Sequence, residues 1–167
     1  AREIRIKLSE LCYKSIPTDV TEDKKHIDLS TEPLIILCAA GLEEGILADV
    51  VKESAIFKAH SATPIVITHA GEERFDPYAA AVIQVPLAGG GLSFVPVTMA
   101  GHLWGYYAAL AIDEGGRLLR RIRSVLVELA GAPEGKEAEL RERLRPLAAT
   151  FAEELVRGRL DGGLAPS

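Results

Sequence analysis

The run Pro33-Leu34-Ile35-Ile36-Leu37-Cys38-Ala39 decides the fold class. It is uncharged throughout and closes on small side chains. A strand with one wet face would alternate apolar and polar residues. A continuous apolar run of this length instead predicts a parallel strand buried on both faces. Two further runs repeat the pattern: residues 63–68, rich in β-branched side chains, and residues 81–86, stopped by Pro86. Between the first two, residues 43–60 place Leu47, Val50, Val51, Ala55, Ile56 and Ala59 at helical spacing. Residues 75–80 read as a connection with one helical turn. After the loop Gly89-Gly90-Gly91, Ser93 is placed to cap a long helix running through Asp113. Such strand–helix alternation predicts right-handed crossovers and an α/β fold, a doubly wound parallel sheet with helices on both faces. Residues 15–20 are a candidate edge strand.

Beyond Asp113 the pattern changes. Residues 117–129 read as a helix with apolar Leu118, Leu119, Ile122, Val125, Leu126 and Leu129, and residues 131–135 break it. Residues 137–157 read as a second helix, with Glu139–Arg143 and Glu142–Arg145 as neighbours on its surface. Pro146 is a candidate kink. The expected organisation is a body at residues 1–113 and an appended antiparallel helical hairpin at residues 114–167, frayed from Gly158.

Composition narrows the class. The chain has 167 residues, one domain's worth, and 48% are hydrophobic, enough for a sizeable core. The formal net charge of −5 is spread along the chain, without the basic patch that nucleic acid requires. Cys12 and Cys38 lie far apart with no C-x-x-C, which suits free thiols in a reducing cytosol rather than a disulfide framework. Arg2, Glu3, Arg5 and Lys7 interrupt any signal peptide, and the chain, which does not begin with Met, reads as a piece of a longer protein. Residues 92–112 carry no formal charge and have the length of a bilayer span, but Pro96, His102 and two glycines favour a buried helix. No membrane partner is expected. His60, His69 and His102 are isolated, so no metal site is expected. The loop Gly41-Leu42-Glu43-Glu44-Gly45 opens a helix, yet its two glutamates would repel a phosphate.

The chemistry-bearing residues lie upstream of the first strand. In Ile6-Lys7-Leu8-Ser9-Glu10-Leu11-Cys12-Tyr13 the apolar residues recur at helical spacing, and Lys7 and Glu10, at i and i+3, project from one face. A charged cluster follows at Glu22-Asp23-Lys24-Lys25-His26. A carboxylate, an ammonium and an imidazole could converge there on one polar ligand. Proton transfer in a sugar needs a base, a group serving the ring oxygen and a cation for developing negative charge. The bland reading stands beside this one: an exposed salt bridge on a helix and a solvated charge run.

The order Lys7, Glu10, Leu11, Tyr13, then Lys25-His26, resembles the pattern K-x-x-E-[IL]-x-Y followed by K-H. That pattern belongs to the second SIS (sugar isomerase) domain of the glutamine–fructose-6-phosphate aminotransferase, or glucosamine-6-phosphate synthase, family. The resemblance continues to about Asp113. It implies that Lys7 contacts a sugar phosphate, that Glu10 is the base moving a proton between C1 and C2, and that His26 assists ring opening in a neighbouring subunit's site. It implies a homodimer, a small-molecule sugar phosphate as ligand and no cofactor. It also implies an incomplete sheet, because the family's first strand precedes the helix with which this chain begins. The chain departs from the family at Glu22-Asp23-Lys24 and Ile27-Asp28 around the K-H pair, and its tail has no lysine to close over substrate. A rival reading is therefore a non-catalytic SIS domain that senses a phosphosugar or serves only in assembly. Self-association is expected through the apolar helix carrying His102, Trp104 and Tyr107, or through an open sheet edge.

Overall fold

The computed structural model describes residues 1–12, 16–20, 34–89, 91–131 and 135–158. The described elements are α1 (Arg2–Cys12), β1 (Leu34–Cys38), α2 (Glu44–Ala59), β2 (Thr63–His69), β3 (Ala81–Val85), α3 (Phe94–Ala130) and α4 (Glu137–Val156). The three strands form one parallel sheet in the order β1-β2-β3, with Leu34 facing Thr63 and His69 facing Val85 in register.

Both faces of the sheet are covered, which is why its strands read as continuous apolar runs. On one face Leu37, Ala39 and Val66 pack with Leu47, Val50 and Phe57 of α2 and with Phe75. On the other, Ile67 and Val85 pack with Ile4 and Leu8 of α1 and Val97 of α3. Neighbouring strand residues alternate between these cores, as the pleat requires: Val66 faces one and Ile67 the other.

The connections have local causes. Helix α2 ends in a Schellman closure: Ala62 N–H donates to Phe57 O and Ser61 N–H to Lys58 O, both at 3.0 Å. Ser61 holds the left-handed conformation there at φ 63°, a place glycine usually takes. Residues 70–80 join two parallel strands without a regular helix. One turn, in which Tyr78 and Ala79 N–H both donate to Phe75 O at 2.9 Å, buries Phe75 completely beside α2. Ala80 N–H then donates to Pro64 O at 2.8 Å, tying the start of β3 to β2.

Three expectations change. Residues 16–20 form no strand, and Ser15 lies outside the described residues. Ser93 does not cap α3 through its side chain; its hydroxyl donates to Ala88 O at 2.9 Å and fastens the preceding loop. The long helix does not stop at Asp113: α3 runs unbroken through Gly115-Gly116 to Ala130. A glycine inside a helix costs about 1 kcal/mol relative to alanine, too little to break a helix held on both sides. Two contacts span the glycines. Arg117 meets Glu114 at 2.5 Å, and Arg120 donates to Asp113 O at 2.9 Å and to Asp113 Oδ1 at 2.7 Å. The missing side chain at Gly116 leaves room for this fold-back, since a Cβ there would lie 2.9 Å from Arg120 Nη1.

The chain divides into two compact units, residues 1–106 and 107–167, so the 113/114 boundary falls inside the same helix. In the second unit, Val125 of α3 and Leu140 and Leu147 of α4 are buried. Arg143 pairs with Glu128 of α3 at 2.7 Å and also feels the charge of Glu139, while Arg145 meets Glu142 at 2.9 Å as expected. No helix among the described residues is long and apolar enough to cross a membrane.

Candidate functional site

Helix α1 is seated by its spacing. Ile4 and Leu8, one turn apart, point the same way and are 3% and 5% exposed. They meet Gly101 and Gly105, which repeat the same four-residue spacing on α3. A Cβ at Gly101 would lie 2.5 Å from Ile4 Cγ1 and 2.9 Å from Ile4 Cγ2, and one at Gly105 would lie 3.1 Å from Leu8 Cδ2. The two glycines thus form a flat seat into which the apolar stripe of α1 fits. Glu3 approaches His102 on the same contact, Oε1 to Nε2 at 3.6 Å, beyond hydrogen-bonding reach.

That seating leaves Lys7 and Glu10 at the outer surface. Lys7 Nζ donates to Glu10 Oε2 at 2.7 Å. The hydrogen bond that Lys7 donates to Glu10, and then the charge of that carboxylate, raise the Lys7 pKa above its ordinary value. Lys7 therefore stays cationic and suits an anion. The Glu10 carboxylate is more than half exposed, with one oxygen engaged by Lys7. Taken alone the pair has the form of a common surface ion pair, the kind that adds little to stability. Lys7 and Glu10 are brought together; Tyr13, Lys25 and His26 lie outside the described residues.

A second polar cluster forms where β2 ends and α2 begins. Arg74 reaches Glu44 at 2.6 and 3.1 Å and Glu72 at 2.6 and 2.9 Å, joining the loop after β2 to the first turn of α2. Glu72 is buried, and the Arg74 guanidinium lowers its pKa to about 2. Glu44 is lowered as well, again mainly by Arg74. The first turn of α2 thus carries the protein's own carboxylate, clamped by Arg74. Gly41 at φ 75° packs directly on Ser93, where a Cβ would lie 2.5 Å from Ser93 Oγ.

Sequence reasoning missed the Gly101/Gly105 seat and the Arg74 clamp. The first had a usable signal, two matched four-residue spacings on different helices. The second had none, because Arg74 and Glu44 are thirty positions apart. Trp104 is half-buried against the α1-side core, whereas Tyr107 is exposed. Cys12 and Cys38 are free and half-buried, and burial raises the Cys12 thiol pKa. Among the described residues no group of His, Cys, Asp and Glu side chains could hold a metal ion. Compared with family models, curated proteins and solved structures, the chain matches none.

Proposed function

We propose that this chain is the second SIS domain of a glucosamine-6-phosphate-synthase-like protein of the cytoplasm, its sheet one part of a doubly wound SIS fold. The carrying observation is the Lys7–Glu10 pair, held 2.7 Å apart on the outer face of a helix that packs on a parallel sheet. The reaction is isomerisation of a ketose phosphate to an aldose phosphate, coupled to amination at C2 of fructose 6-phosphate. Lys7 holds the anionic substrate and leaves Glu10 as it does so. Ammonia from the nitrogen donor condenses with the C2 carbonyl, whose oxygen leaves as water, and Glu10 takes a proton from C1 of the resulting imine and returns it to C2, so that the carbon skeleton is unchanged and no redox partner is needed. His26 acts on the ring oxygen to open the sugar.

The exposure of the Lys7–Glu10 pair supports the second reading, an SIS domain that binds or senses a phosphosugar without turning it over. Titration of fructose 6-phosphate and glucosamine 6-phosphate into the full-length protein, followed by a turnover assay, separates the two. Binding with turnover is the expected result, and binding alone selects the sensor. Absence of binding to either sugar overturns both.

A further inference from the structure

The first half of α3 has two opposite faces. Ser93 just ahead of it and Val97, Gly101 and Gly105 within it point inward, four residues apart. On the far side lie Leu92 in the preceding turn and Val95, Met99, Leu103 and Tyr106, all between 44% and 61% exposed. At 100° per residue these five fall on one narrow stripe. Together they leave on the order of 600 Å² of mostly apolar surface in water, the upper end of what an ordinary monomer shows and close to the ~800 Å² that each partner gives to a stable interface. No Asp, Glu, Lys or Arg occurs from Leu92 to Ile112, so a charged partner gains nothing there.

The stripe is symmetric about Met99. Val95 and Leu103 lie four residues to either side, and Leu92 and Tyr106 seven. A two-fold axis through Met99 would lay two copies of the helix antiparallel, with Val95 against the partner's Leu103 and Leu92 against the partner's Tyr106. A closed two-fold contact uses the same patch on both subunits, and this patch matches itself under that operation. We infer that the outer face of α3, centred on Met99, is the contact surface for a second copy of this chain, paired antiparallel. This inference is independent of the sugar chemistry proposed above.

Sedimentation of the chain at micromolar concentration is the test. The wild type is expected to be a dimer. Met99→Glu places two carboxylates face to face on the axis and is expected to weaken association more than tenfold, with the far-UV circular dichroism unchanged. The orientation is tested by two double variants. Val95→Lys with Leu103→Glu sets opposite charges across an antiparallel contact, while Val95→Lys with Leu103→Lys sets like charges. The first is expected to remain measurably more dimeric than the second, and adding salt should narrow the gap. A monomeric wild type overturns the inference, as does equal behaviour of the two double variants. So does binding of the wild type to phosphatidylcholine vesicles without self-association.

Discussion

The two halves of α3 belong to one helix and are held in opposite ways. Residues 94–106 carry no formal charge and present Val97, Gly101 and Gly105 to the core, where Ile4 and Leu8 fill the space the glycines leave. Residues 107–130 bury only Val125 and carry Glu114–Arg117, Asp113–Arg120 and Glu128–Arg143 at the surface. The first half is fixed by steric fit, while the second buries a single side chain and carries its ion pairs in water. Glycine therefore means different things in them: at Gly101 it is required by a neighbour, and at Gly115 nothing lies within 4 Å of the missing Cβ.

The largest effect follows from emptying the seat. Ile4→Ala removes a buried side chain and should lower stability by about 2–5 kcal/mol, read from the urea midpoint. A cost under about 1 kcal/mol would mean that α1 is not packed against α3. The glycine pair sharpens the contrast, because the two substitutions should differ in sign. In an exposed helix, glycine to alanine gains about 1 kcal/mol. Gly115→Ala should show that gain, whereas Gly101→Ala should lose about 1–3 kcal/mol through overpacking against Ile4. Stabilisation by both would erase the distinction between the halves.

A smaller effect concerns acid. The pKa of Glu72 is lowered in the fold to about 2, chiefly by its hydrogen bonds from Arg74. A carboxylate with a depressed folded pKa adds stability that is fully present above its ordinary pKa and is lost as pH falls through the folded one. Wild-type melting temperature should therefore drop between about pH 4.5 and pH 2 more steeply than that of Glu72→Gln. The exposed ion pairs of the second unit should contribute little to that slope. Parallel acid profiles for the two proteins would remove Glu72 from the account.

The sheet was legible because strands buried on both faces leave uninterrupted apolar runs, and β1, β2 and β3 lie where such runs lie. The α2 stripe was legible from its spacing. The continuity of α3 was not, since the uncharged run ends at Asp113 and the pattern changes beyond it. The Arg120 side chain that spans Gly115-Gly116 is recognisable only once the helix is built. Of the candidate edge strand at residues 15–20, the described part, 16–20, forms no strand. At the candidate site, the Lys7–Glu10 contact is local and was visible at i and i+3. What seats it depends on Ile4 and Leu8 meeting glycines nearly a hundred residues away, and its trace in the sequence is the matched four-residue spacing of the two pairs.

The central claim is that Glu10 moves a sugar proton. The direct measurement is deuterium wash-in: fructose 6-phosphate incubated in D2O with the full-length protein and its nitrogen donor, with label at C1 and C2 followed by NMR. The account predicts incorporation by the wild type and a loss of 10²–10⁴-fold in Glu10→Gln, the usual contribution of a positioned general base. Equal incorporation by the two proteins would contradict it.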